Sequence, residues 1–207
     1  MGKIYTVILA AGSSSRLGFN KLLLKIDGET VIKRAITPFL SANIDRFFIV
    51  TGNDSDSLKE ELKKTLVPLS SSLIFVPNQH YREGMSASIK AVLPFIKQAN
   101  KVFFHLGDKP FVQQKMVHRM LAMLMDRDKN ILLPQYRGMK GHPVLMNIKP
   151  YLQEMMLLEG DKGLREIIEK HLEDVLFIEG DEGSILDIDT VEDINQLKGR
   201  GYTIEEG

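Results

Sequence analysis

"VILAAGSSSRLGFNKLLLK", residues 7–25, begins as an apolar run, breaks into six small residues, and then presents Arg16, Gly18 and Lys21. A buried strand alone has no use for that order, but an anion site does. Ala10, Ala11 and Gly12 let a ligand approach the main chain, whose successive N–H groups can form an anion-binding concavity. Arg16 offers a guanidinium fork to phosphate oxygens, and Lys21 a point-like charge. The order strand, loop, helix places residues 10–15 at the carboxyl end of a sheet strand, where open α/β sheets bind ligands. Two common phosphate loops are excluded. Gly12 is preceded by Ala11 and followed two positions later by Ser14, which breaks Gly-x-Gly-x-x-Gly, and Gly18 is followed by Phe19 rather than the P-loop lysine. The competing reading is a surface loop with solvated cations.

Outward from this loop, short runs rich in Val, Ile and Phe alternate with helical patterns. Strands are expected at residues 4–9, 46–51, 73–76, 101–106 and 130–134. Between them, Val31, Ile32, Ala35, Ile36, Phe39 and Leu40 recur at helical spacing, as do Leu58, Leu62 and Leu66, with Pro38 expected to kink the first helix. Near-continuous apolar strands between helices imply a mostly parallel sheet covered on both faces. Further along, "GHPVLMN" (141–147), "VLFI" (175–178) and "ILDID" (185–189) read as strands, and helices are expected around 149–156 and 162–171. A last helix follows Thr190, a good cap. Met116, Met120 and Met123 share one helix face and read as core, and Glu205-Glu206 reads as a frayed tail.

Composition bounds the rest. The 207 residues suffice for one substantial core, and 27 Lys+Arg balance 27 Asp+Glu, so no excess charge draws the chain to nucleic acid or an anionic membrane. The absence of cysteine excludes disulfides and thiolate metal sites and suits a cytoplasmic setting. Lys3 followed by an apolar 4–11 imitates a signal peptide, but Arg16 and Lys21 follow at once, and the run reads as a buried first strand. No apolar run reaches the ~20 residues of a membrane helix.

Asp108 ends the strand "KVFFHL" and precedes Pro110, at the same sheet edge as the first loop; on its own, Gly-Asp-x-Pro reads as a turn. A carboxylate there can ligate Mg²⁺, which takes oxygen ligands and binds through one or two carboxylates plus substrate phosphates. Asp187 and Asp189 alternate with Leu186 and Ile188; as a strand they point to one face, where they complete the metal site or steer a substrate. Against this, Asp189 can flank the helix after Thr190. On its own, His142 reads as an ordinary surface or packing histidine, and Lys162 as part of a solvated helix face.

The stretch "LAAGSSSRLGFNKLLL" resembles the nucleotide-binding signature of the cytidylyl and guanylyl transferases of molybdenum cofactor biosynthesis. "NQHYREGMSASIKAV" (78–92), "GDKPFV" (107–112), "GHPVLM" (141–146), "GDKGLREII" (160–168) and "LDIDTVEDI" (186–194) resemble that family's motifs in the same order, over nearly the whole chain. The resemblance implies a Rossmann-like nucleotidyltransferase fold in a single domain over 1–207, with a nucleotide-binding half to about residue 112 and an acceptor-binding half beyond it. It further implies that Ala10, Ala11, Gly12, Ser13, Ser14 and Ser15 wrap the nucleotide while Arg16 and Lys21 hold its phosphates. Asn78 is implied as nucleotide-binding, and the segment from Gly84 to Ser88 is similar to the one that meets the base, although Ser86 and Ser88 could equally cap the following helix. Mg²⁺ falls to Asp108 with Asp187 and Asp189, and the acceptor to Gly141, His142 and Pro143.

The cytidylyl branch carries Ala-Ala-Gly where the guanylyl branch carries Ala-Gly-Gly, so Ala11 implies CTP over GTP. The reaction implied is attack by the phosphate of molybdopterin, or of the molybdenum cofactor, on the α-phosphorus of CTP with release of pyrophosphate. A phosphate monoester is largely ionised at neutral pH, its second pKa being ~6, so no side-chain nucleophile is required. The alternatives are another phosphorylated acceptor, such as methylerythritol phosphate or a sugar phosphate, and a non-catalytic cofactor carrier. In the main reading and in the carrier reading, a molybdenum hydroxylase is the recipient.

Overall fold

The computed structural model describes residues 2–12, 17–52, 55–66, 72–124 and 129–206. Ser13, Ser14, Ser15 and Arg16 lie outside them. The apolar runs form β1 (Ile4–Ala10), β4 (Arg46–Thr51), β5 (Leu73–Pro77), β6 (Lys101–Leu106) and β7 (Ile131–Tyr136), within a residue or two of expectation. The remaining strands are β2 (Lys25–Ile26), β3 (Glu29–Thr30), β8 (Met139–Lys140), β9 (Val144–Met146), β10 (Val175–Glu179) and β11 (Ile204–Glu205). The helices are α1 (Val31–Ile36), α2 (Ser55–Thr65), α3 (Met85–Ile96), α4 (Gln114–Leu124), α5 (Leu152–Leu157), α6 (Leu164–Lys170) and α7 (Val191–Gly199).

The main sheet runs β10-β7-β9-β6-β1-β4-β5, with β8 on β7. Pairings β1–β4, β1–β6, β4–β5 and β7–β10 are parallel, whereas β9 runs antiparallel between β6 and β7. Strand pleating sends alternate residues to opposite faces. Ile8 and Ala10 of β1, with Phe47, Ile49 and Phe103, pack under α1, α2, α4 and α7. Tyr5 and Val7, with Phe48, Val50, Val102 and Phe104, pack under α3, α5 and α6. Burial of each such Val, Ile or Phe side chain stabilises by about 1.5–3 kcal/mol, which is why a sheet apolar on both faces needs helices on both. The fold is therefore the expected α/β arrangement, Rossmann-like, with a mostly parallel central sheet. Met116 and Met120 are in the core, and Met123 is partly buried against it.

Three expectations are corrected. Residues 185–189 form no strand: a single helical turn at Glu182–Ser184 leads into irregular chain, because the alternating acids are held by lysines rather than by a ladder. Only Val144–Met146 of "GHPVLMN" is strand, after a cis His142–Pro143 bond. The Glu205 end is not frayed: β11 pairs with β2, Ile204 opposite Ile26, and Asp27 exchanges hydrogen bonds with Thr203. Pro38 acts as expected, converting α1 into a 3₁₀ turn at Thr37–Phe39.

β1 is followed in the sheet by β4 on one side and β6 on the other, so the strand order reverses at the β1/β6 boundary. The crevice outside the carboxyl ends of those two strands is the general ligand position of open α/β sheets.

Candidate active site

That crevice is a cleft of about 440 Å³, lined by Ala10, Ala11 and Gly12 after β1, Lys21, Asp108 after β6, Ser88 and Gly84 at α3, and Asp189. Its size suits a small-molecule site. Gly12 is informative. A Cβ added there meets nothing within 4 Å, and its φ is not left-handed, so neither packing nor torsion demands glycine, and the main chain at Gly12 faces open space at the cleft.

Lys21 reaches the cleft because Asn20 turns the chain: its side-chain oxygen accepts the Leu22 N–H at 3.1 Å and its carbonyl the Leu23 N–H at 3.0 Å. Lys21 is buried, at 7% exposure, and its Nζ donates to Asp108 Oδ2 at 2.5 Å and to Asp189 Oδ1. Burial alone pushes its pKa down; the charges and hydrogen bonds of Asp108 and Asp189 outweigh that, and the net shift is upward. Asp108 Oδ1 is buried and has no hydrogen-bond partner among the described residues. A buried carboxylate oxygen left unpaired is costly unless something cationic meets it. Asp108 and Asp189 form a hard-oxygen donor pair that suits a magnesium ion, with phosphate oxygens and water for the remaining positions.

Asp187 does not join them. Its carboxylate accepts from Lys109 Nζ at 3.3 Å, away from the cleft lining, so the two aspartates are divided between two lysines. Asp189 does not cap α7 either: Thr190 is the N-cap, in a capping box with Asp193. Asn78 also lies off the cleft. It is buried, donating to Ser88 Oγ at 3.0 Å and accepting from the His80 N–H at 2.9 Å, and so orients Ser88. Neither Ser86 nor Ser88 caps α3, whose N-cap is Gly84; Ser86 Oγ instead accepts the Gly163 N–H at 3.3 Å.

Gly141, His142 and Pro143 are likewise absent from the lining. The Gly141 position leaves no room for a Cβ, which would lie 2.8 Å from Ser184, and the His142 N–H donates to the Ser184 carbonyl at 2.8 Å. This motif therefore docks the turn before the acidic segment. The His142 ring lies 6.0 Å from the His105 ring, and burial first, then the Lys109 charge, depresses its pKa to about 4.

Tyr81, Arg82 and Asp161 line the cleft without having been singled out from sequence. Arg82 adds a second cation, its guanidinium 5.6 Å from the Tyr81 ring. Asp161 comes from "GDKG", which packs on the start of α3: the Gly160 carbonyl accepts the Ser86 N–H at 3.0 Å. Lys162 is exposed, and Arg165 pairs with Glu169 on an open surface, a contact that adds little. Motif membership was the only sequence signal for Asp161 and for Arg82, which lie within 160–168 and 78–92.

Residues 6–175 match the model of the MobA-like NTP transferase domain. The chain belongs to that family. It is 29% identical over 205 residues to a molybdenum cofactor cytidylyltransferase of Escherichia coli K12, covering 98% of this chain and 99% of that protein. It is 25% identical to a probable molybdenum cofactor guanylyltransferase of Thermococcus sibiricus, covering 93% and 96%. Among solved structures, the Rv0371c homologue of Mycobacterium sp. strain JC1 superposes with a TM-score of 0.79 at 26% identity, covering 95% of this chain and 96% of that one. The MobA-like chain is thus a nucleotidyltransferase of Rossmann-like fold. No helix among its described residues is long and apolar enough to cross a membrane.

Proposed function

We propose that this nucleotidyltransferase moves CMP from CTP onto the terminal phosphate of molybdopterin or the molybdenum cofactor, releasing pyrophosphate. The observation that carries the reading is the meeting of Lys21, Asp108 and Asp189 in one cleft beside an open Gly12. Similarity over nearly its whole length to the molybdenum cofactor cytidylyltransferase of Escherichia coli supports a cytidylyl donor and a molybdenum cofactor acceptor, and Ala11, in the position that distinguishes the two branches, supports CTP.

The chemistry joins two anions, and its barrier is their repulsion. A magnesium ion held by Asp108 and Asp189 would neutralise phosphate charge there. The main chain at Ala10–Gly12 receives the triphosphate at close range, with Arg16 and Lys21 as its cationic partners. Once phosphate oxygens arrive, the Lys21 ammonium exchanges carboxylate partners for phosphate ones, leaving Asp108 and Asp189 as oxygen donors. Gly84 and Ser88 form the wall for the base. The acceptor phosphate oxygen attacks the α-phosphorus, the bond to the β-phosphate oxygen breaks, and pyrophosphate departs with that electron pair. No proton has to be removed by the protein, since the acceptor is already ionised.

The test is pyrophosphate release from CTP, GTP and UTP with molybdenum cofactor as acceptor and Mg²⁺ present. CTP should be preferred, and Asp108→Asn should lower turnover at least ~100-fold with an unchanged circular dichroism spectrum, the scale typical of losing one preorganised charge-stabilising group. Release with GTP alone would shift the assignment to guanylyl transfer. Full activity in Asp108→Asn would remove the metal assignment.

A further inference from the structure

The segment that delivers Asp189 has no regular structure of its own, yet it must be placed to within ångströms. Lys109, one residue beyond Asp108, is 7% exposed, and its ammonium donates to the Ile185 carbonyl at 2.7 Å and to Asp187 Oδ2 at 3.3 Å. Its own carbonyl is bonded to the fully buried His105 ring at 3.1 Å, so the base of the side chain is anchored in β6. The Ile188 N–H donates to the Asp108 carbonyl at 3.2 Å, and Ile188 itself is fully buried. A lysine that only filled space here would be costly, because an ammonium must be desolvated, and an apolar residue of similar size would serve as well or better. Its cost is offset only by the partners it holds.

We infer that Lys109 is a positioning residue of the active site: by holding Ile185 and Asp187 it turns the 185–189 segment so that Asp189, and not Asp187, joins Asp108 in the cleft. This rests on the nucleotidyl-transfer reading above. Lys109 and Lys21 divide the acidic pair between them. Lys109 withdraws Asp187 into a staple, and Lys21 marks where Asp189 belongs until substrate comes. The spacing Asp-Ile-Asp is then one aspartate for structure and one for chemistry. His142 and Gly141 complete the staple from the other side by docking Ser184.

The experiment is Mn²⁺ binding to the full chain, followed by electron paramagnetic resonance with CTP and without acceptor, alongside thermal melting. Wild type should bind Mn²⁺ with CTP present; absence of that binding overturns the functional reading and this inference with it. Lys109→Met should weaken the Mn²⁺ affinity at least ~10-fold, and in turnover assays it should raise the metal concentration for half-maximal rate more than it lowers kcat at saturating metal. Asp189→Asn should weaken binding as strongly, and Asp187→Asn severalfold less, because a carboxamide oxygen still accepts from Lys109. Lys109→Met binding Mn²⁺ within twofold of wild type overturns the inference. So does an Asp187→Asn loss equal to that of Asp189→Asn, which would make Asp187 a ligand; that comparison leaves Lys109 untouched and stands even where Lys109→Met fails to fold.

Discussion

Lys21 stands where two carboxylates would otherwise repel each other. Its ammonium competes with any divalent cation for Asp108 and Asp189, while its affinity for phosphate draws it the other way. Two opposite effects should follow from Lys21→Met. Mn²⁺ affinity without nucleotide should rise about tenfold, ~1.4 kcal/mol, and CTP affinity should fall by at least a similar factor. Calorimetry with each ligand checks both, and a fall in both would show general damage to the site instead. The pKa shift leaves the ion pair intact at working pH. Because the folded value lies above the ordinary 10.5, the stabilisation is fully present below 10.5 and is lost only as pH rises through the folded value. Lys21 and Asp108 were legible less from their local patterns, which a solvated loop or a turn would share, than from their place in a series of motifs that kept one family's order along the chain. Lys109 was not. Beside Asp108 it reads as one more charged residue, and only its 7% exposure reveals a buried role.

Among the elements, the long apolar strands were legible because a strand covered on both faces leaves a run with no polar interruption. The two-residue strands β2, β3, β8 and β11 carry too few side chains to show a period. "ILDID" imitated a strand because two lysines on separate elements hold alternate acids, a pattern with the same period as a pleat. The junction between "GDKG" and α3 shows how a motif can act through backbone. Gly84 has φ +102, and a Cβ there would lie 2.6 Å from Asp161 Oδ1 and from the Gly160 carbonyl. Gly84→Ala therefore combines a left-handed torsion with a backbone clash. It should cost about 3 kcal/mol of stability in urea denaturation and weaken CTP binding at least tenfold by pushing residues 160–163 off the cleft wall. A stability change under ~0.5 kcal/mol would show that the 160–163 loop yields freely.

At the scale of the molecule, convergence is what sequence could not show: Gly141–Pro143 meets Ser184 and Lys109 meets Asp187 across some 40 and 80 positions, and neither pair has a local pattern. The same convergence buries two imidazoles beneath the site. His105 and His142 both have an Nδ1 with no partner among the described residues, and burial, their mutual repulsion or the Lys109 charge hold both pKa values down, while Asp108 and the Lys109 and Phe104 main chain pull the other way. Both downward shifts favour neutral imidazoles in the folded protein near neutral pH. In the unfolded chain they protonate near 6.5, so unfolding takes up protons below that pH and stability must fall as pH drops, over 6.5 to about 4 for His142 and further for His105. Each group contributes about 1.4 kcal/mol of loss per pH unit in that window, so the pair should cost about 3 kcal/mol between pH 7.5 and 5.5, above the range where most carboxylates titrate. Urea denaturation at the two pH values measures it. His105→Gln and His142→Gln should each remove about half of the difference, whatever they do to stability at pH 7.5. An unchanged difference in both variants would mean that the imidazoles are protonated when folded, and that the staple above them tolerates two further positive charges.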